Sequence, residues 1–95
     1  MAITSELDPV TDEIIVNLYN EIRHFEPQNM NLYRNLIRDN RYLGTTRIQP
    51  MMLVGDILDA AIHDEDIYET ILDMYETLTI AHVKAAVVFL MESIA

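Results

Sequence analysis

Apolar residues recur at helical spacing along most of the chain, and a few breaks divide them into five segments. Ile14, Leu18, Ile22 and Phe25 fall on one face of a first helix. Asp8 is placed to cap it, Pro9 suits its first position, and Asp12 and Glu13 sit in the first turn, where the helix dipole favours acids. Pro27 ends this helix, and Pro27-Gln28-Asn29 leads into a second, short one. There Leu32, Tyr33, Leu36 and Ile37 point inward, Arg34, Asn35 and Arg38 point outward, and Gly44 marks the far boundary. Thr45-Thr46-Arg47-Ile48-Gln49 is the stretch with strand-like residues, too short to make a sheet alone.

After Pro50 a third helix carries Leu53 or Val54, Ile57, Leu58, Ala61 and Ile62 on its inner face, with Asp56 and Asp59 outside. Gly55 interrupts it at a cost of roughly 1 kcal/mol relative to Ala. His63-Asp64-Glu65-Asp66 opens a fourth helix whose apolar positions are Ile67, Ile71, Met74 or Tyr75, and Leu78. Its outer face is acidic through Glu69, Asp73 and Glu76. Thr79 then caps a last helix that runs from Ile80 nearly to the end. Ile80, Val83, Val87, Leu90, Met91 and Ile94 form one apolar face of that helix, and Ala85, Ala86, Val88 and Phe89 cover most of the rest. His82, Lys84, Glu92 and Ser93 are its polar sliver. A helix apolar nearly all round is buried on several sides. In so small a domain, a second copy of the chain is the expected source of the missing cover.

Composition narrows the class. Ninety-five residues make one domain, read as an N-terminal helical extension over 8–43 and a second unit over 44–95. Two Gly and three Pro leave few tight turns, which argues for an all-α fold. No Cys is present, so disulfides and thiolate metal sites are excluded, and a reducing, cytoplasmic setting is expected. The first residues lack the pattern of a signal peptide, and no apolar run approaches the ~20 residues of a membrane span. Sixteen acids against six cations give a net charge of −10. Residues 1–43 hold seven acids and four Arg, net −3, whereas residues 44–95 hold nine acids against Arg47 and Lys84, net −7. Most of such a surface repels nucleic acid and anionic membranes.

The third, fourth and fifth helices follow one another through short connections, the last two joined by Glu76-Thr77-Leu78. This is the spacing of a trihelical helix-turn-helix unit, in which the final helix is the candidate reader. Gly44-Thr45-Thr46-Arg47-Ile48, then Ile71-Leu72-Asp73-Met74-Tyr75, Leu78-Thr79 and Val83-Lys84-Ala85-Ala86, occur in that order. Over residues 44–90 this resembles the prokaryotic family catalogued as domain of unknown function 433. Its members carry a Gly-Thr-Arg-Ile segment, a helix, a Leu-Thr anchor and a final Ala-rich helix. The resemblance implies a homeodomain-like fold and kinship with VapB-type antitoxins, and so a toxin or regulatory protein as partner. The family's Pro in the second anchor is Glu76 or Thr77 here, its Gly between the first two helices is missing, and Asp59 to Asp66 is several residues longer. Residues 8–43 have no counterpart in it.

Candidate chemistry separates the function classes. The last helix offers a phosphate backbone only Lys84 and His82, and it lacks the exposed Arg, Asn or Gln that read base edges. It therefore reads better as a core and dimer helix than as a DNA reader. Arg34, Arg38, Arg41 and Arg47, opposed only by Asp39, form a local basic stretch. One reading pairs them with the acidic helix, within a subunit or across a dimer; the other makes them an anion-facing patch. Asp64-x-Asp66 begins like a calcium loop, but Glu69 stands where Gly is required and Tyr75 where Glu is required. Glu21-x-x-His24 has the spacing of a di-iron helix pair without the second pair such a site needs. Two Ser (Ser5, Ser93), three scattered His and no Gly-rich phosphate loop give catalysis no foothold.

The expectation is thus a non-enzymatic, acidic protein-interaction module without metal or cofactor, regulatory or antitoxin-like and homodimeric. Arg47, Ile48, Val83, Val87, Val88, Phe89 and Met91 would form its interface, and nucleic acid and membrane are not expected partners. The alternatives are a DNA-binding transcriptional regulator, and an acidic nucleic-acid mimic displaying Asp56, Asp59, Asp64, Glu65, Asp66, Glu69, Asp73 and Glu76.

Overall fold

The computed structural model describes residues 9–39 and 41–94. Among them are five α-helices: α1 (Pro9–Phe25), α2 (Met30–Asn35), α3 (Val54–Ile62), α4 (Ile67–Met74) and α5 (Ile80–Ile94). Two-residue strands β1 (Ile37–Arg38) and β2 (Tyr42–Leu43) make a small antiparallel hairpin. The mostly helical expectation holds. The cap expected of Asp8, and the side-chain roles expected of Pro9, Asp12 and Ile94, lie outside the described residues.

In α1, Ile15, Leu18 and Ile22 are the buried stripe. Phe25, expected inside, is 70% exposed, because it stands in the last turn and borders a surface hollow instead of the core. The second helix is shorter than its pattern suggests. It ends at Asn35 with Met30 and Tyr33 buried and Leu32 exposed. The chain then turns through Asp39, whose positive φ of 56° suits a short polar side chain, and pairs Ile37 with Leu43 and Arg38 with Tyr42. The strand therefore lies upstream of the Thr45–Gln49 segment expected to supply it. That segment folds back on the hairpin: Leu43 N–H donates to the Ile48 carbonyl at 2.9 Å, and the Thr46 hydroxyl donates to the Leu43 carbonyl at 2.6 Å.

Gly44 closes the hairpin and does not end a helix. Its φ is +57°, and a Cβ there would stand 2.5 Å from His82 Nε2. Both the backbone conformation and the close approach of α5 call for glycine. Pro50–Leu53 forms a 3-10 turn before α3, which places Gly55 in the first turn of α3, where its cost is small. Leu53, Ile57 and Ala60 face inward while Ile62 is exposed. Asp66 caps α4 by accepting the Glu69 N–H at 3.0 Å. Of the two options at its far end, Tyr75 packs on the core and Met74 is exposed.

α5 begins with a reciprocal cap. The His82 N–H donates to Thr79 Oγ1 at 3.4 Å, and the Thr79 N–H donates to His82 Nδ1 at 3.0 Å, so histidine fills the place of Glu or Gln in a capping box. Val83, Ala85, Ala86, Val87 and Val88 are all at 0% exposure. Their cover comes from α1, α2 and the Pro50–Leu53 turn, with α4 alongside. Burial of each Val contributes about 1.5–3 kcal/mol. For these five residues the N-terminal helices supply the cover that the sequence suggested a second copy would give. One continuous core runs from Ile15 to Leu90 and joins residues of the 8–43 extension to those of the 44–95 unit.

Candidate partner-binding groove

α4 has a wider apolar arc than one stripe. Ile71 is fully buried, whereas Tyr68 and Leu72 on either side of it are half-buried. They form the floor of an open groove of about 440 Å³ together with Ile80 and Lys84 of α5. Asp66, Glu69 and Asp73 line it from α4. Ile80, expected in the core face of the last helix, is 48% exposed in this groove. A smaller hollow of about 130 Å³ adjoins it, sharing Tyr68 and Lys84 and reaching Glu21, Glu26 and Phe25 at the end of α1.

Where the two hollows meet, a polar node ties three helices together. The Lys84 ammonium donates to Glu26 Oε2. Tyr33 Oη donates to Glu26 Oε1 at 2.5 Å, and Asn29 Nδ2 donates to the same oxygen at 3.1 Å. Lys84 and Glu26 keep only 20% and 23% of their side-chain surface exposed. The Lys84 and Tyr33 hydrogen bonds pull the Glu26 carboxyl down to about 2, against the opposing effect of burial. Burial pushes the Tyr33 hydroxyl up to about 12, helped by its bond to Glu26, and burial does the same to Tyr68. Lys84 Nζ also lies 5.6 Å from the centre of the Tyr68 ring. The one Lys that α5 could offer a phosphate backbone is thus engaged inside the chain.

The expected interface splits apart. Val83, Val87 and Val88 have no exposed surface and cannot contact a second copy in this fold. Ile48 is half-buried against the core, and its N–H and carbonyl are used within the hairpin region, by Thr46 Oγ1 at 3.1 Å and by Leu43. Phe89 and Met91 are half-buried, and Arg47 is exposed. The basic stretch splits as well. Arg34 forks onto Glu92 of α5, with Nε–Oε1 2.8 Å and Nη2–Oε2 2.7 Å, so its partner lies on α5 and not on the acidic helix. Tyr19 Oη donates to the same carboxylate at 3.1 Å, and the Arg34 bonds hold the Glu92 carboxyl below its usual range. Arg38 and Arg41 sit on the hairpin, the latter 5.1 Å from the Tyr42 ring centre. Arg38, Arg41 and Arg47 are exposed, and no acid forms an ion pair with them among the described residues.

The remaining candidates occupy ordinary structural positions. His63 Nδ1 donates to the Asp59 carbonyl at 2.8 Å, which raises its pKa at the end of α3. Glu21 and His24 are exposed on α1. Asp56, expected to point outward, accepts a hydrogen bond from Tyr75 Oη at 2.8 Å. Sequence reasoning missed Tyr68, Leu72 and Glu26. The first two carry a signal, since apolar residues at 67, 68, 71, 72 and 75 make an arc too broad for one contact face. Glu26 carries none, because its partner Lys84 is 58 residues away.

Among the described residues, no helix is long and apolar enough to cross a membrane. Comparison with protein-family models, with curated proteins and with solved structures finds no match in any of the three.

Proposed function

We propose that this chain is a non-enzymatic protein-interaction module of regulatory or antitoxin-like type, and that its partner docks in the groove between α4 and α5. The observation that carries the reading is an apolar floor of Tyr68, Leu72 and Ile80 left open to solvent beneath the carboxylates of Asp66, Glu69 and Asp73. Apolar surface gathered in a concave, polar-rimmed site is the usual mark of a binding surface. The antitoxin-like type rests on the resemblance over residues 44–90. The helix-turn-helix-like arrangement rests on the succession of α3, α4 and α5 through connections at 63–66 and 75–79. A homodimer stays within the proposal through Phe89, Met91 and Arg47, members of the expected interface that keep surface open to a second copy.

Against the DNA-binding alternative stand the burial of Val83, Ala85, Ala86, Val87 and Val88 in α5 and the pairing of Lys84 with Glu26. The acidic-mimic alternative keeps one favourable observation: Asp59, Asp64, Glu65, Asp66, Glu69, Asp73 and Glu76 are all exposed.

Affinity capture from the source lysate, with the native chain and with the pair Leu72→Asp and Ile80→Asp, tests the proposal. A protein retained by the native chain and lost with the folded variant supports it. An identical retained set for both overturns it. Displacement of the native chain from a basic nucleic-acid enzyme by duplex DNA would favour the mimic instead.

A further inference from the structure

Building on the reading of this groove as a docking site, we infer that its occupant is a cationic amphipathic helix of the partner protein, laid along α4. Three features of the groove lead there. Its acids are arranged as a line: Asp66, Glu69 and Asp73 follow one another at steps of three and four residues, so they form one stripe along α4 about 10 Å long. The Asp66 carboxylate is partly engaged in capping, but those of Glu69 and Asp73 form no ion pair among the described residues. The cation in the floor, Lys84, is neutralised by Glu26, so the floor presents Tyr68, Leu72 and Ile80 without a net charge of its own.

The occupant must therefore put apolar side chains into the floor and cations against one wall. It must also bring its backbone with every hydrogen bond already made. Both elements that form the groove are helices, whose main-chain groups are used internally, so there is no strand edge to pair with an extended peptide. A helix satisfies its own backbone, and its residues at i, i+3 or i+4, and i+7 repeat the spacing of the acidic stripe. A chain of net charge −10 also draws cationic segments toward it and turns anionic ones away.

The test is fluorescence anisotropy with the full chain and three labelled synthetic peptides. The first is an 18-residue Leu/Lys helix with Lys at i, i+3 and i+7 beside a Leu stripe. The second has the same composition in scrambled order, and the third carries Glu in place of Lys. The ordered Leu/Lys helix is expected to bind at least ten-fold tighter than its scramble, and the Glu peptide not at all. Glu69→Lys with Asp73→Lys, checked for native helicity, should weaken binding at least ten-fold. The Glu peptide should then bind this variant better than it binds the native chain. Equal affinity for ordered and scrambled peptides, or indifference to the α4 reversals, overturns the inference by reducing it to bulk charge attraction. If that happens while Leu72→Asp with Ile80→Asp still abolishes capture of a lysate protein, the groove remains a docking site and only the occupant is wrong. If the capture is equally indifferent, both readings fall.

Discussion

α4 and α5 stand side by side across one groove and play opposite parts. α5 is wrapped by α1, α2 and the Pro50–Leu53 turn, with five of its residues from Val83 to Val88 at 0% exposure. Even its Lys84 is tied down by Glu26. α4 buries Ile71 fully, leaves Tyr68 and Leu72 half-open, and turns Glu69 and Asp73 to solvent without ion-pair partners among the described residues. The helix that looked like a reader or a dimer surface has its middle enclosed, with apolar surface left open at Ile80, Phe89 and Met91. The helix that looked like an ordinary solvated face leaves apolar surface open beside its acids.

This contrast can be broken most forcefully inside α5. Val87→Asp places an unpaired charge where there is no exposure, and a loss above about 4 kcal/mol is expected, enough to abolish the cooperative unfolding transition of so small a domain. Circular dichroism of a chain that still melts near the native temperature would show that α5 is not enclosed. Gly44→Ala comes next. It forces a Cβ toward His82 while the backbone keeps a left-handed φ, and about 2 kcal/mol of destabilisation should appear in urea unfolding. Measured against His82→Ala alone, which already lacks the α5 cap, the same Gly44→Ala change should cost less, since only the backbone strain remains.

The node between the helices sharpens the contrast at smaller cost. Glu26→Gln is expected to destabilise by about 1–2 kcal/mol, because Lys84 is left half-satisfied in a largely enclosed place. Lys84→Met added to it should recover part of the loss. The pH dependence follows from the same bonds. Folding holds the Glu26 carboxyl at about 2 against an ordinary value of 4.5, so the folded state favours the ionised form. That stabilisation is complete above about 4.5 and is lost as the pH falls from there through about 2. Acid unfolding of Glu26→Gln should accordingly be less steep than that of the native chain over this window. The smallest effect belongs to α4. Glu69→Lys with Asp73→Lys should shift stability by no more than about 0.5 kcal/mol, as exposed substitutions do, while partner binding collapses. A large stability change there would mean that the acidic stripe serves the fold and not a partner.

Much of the fold was legible in the residues. The breaks at Pro27 and Pro50, the acidic run that opens the fourth helix, the Thr79 cap and the apolar spacing locate α1, α3, α4 and α5 to within a few positions, because capping and periodicity are local physics. The boundary read at Gly44, by contrast, overshoots the end of α2 at Asn35. The hairpin was not legible. Residues 30–43 carry a helix-like pattern, and only the packing of Leu43 at 0% exposure against α5 selects strand pairing there.

The candidate groove was legible only as ingredients: an acidic outer face on the fourth helix and surplus apolar residues at Phe25, Tyr68, Leu72 and Ile80. Spacing determines which residues can share a face, and charge determines what the surface repels. Which apolar residues are left uncovered depends on contacts between segments far apart in the chain. α1 and α2 reach α5 from more than fifty residues away, enclose the side that the sequence offered to a second copy, and leave the α4 side open. Sequence alone gave α5 its need for cover, and tertiary packing decided that the chain itself would supply it.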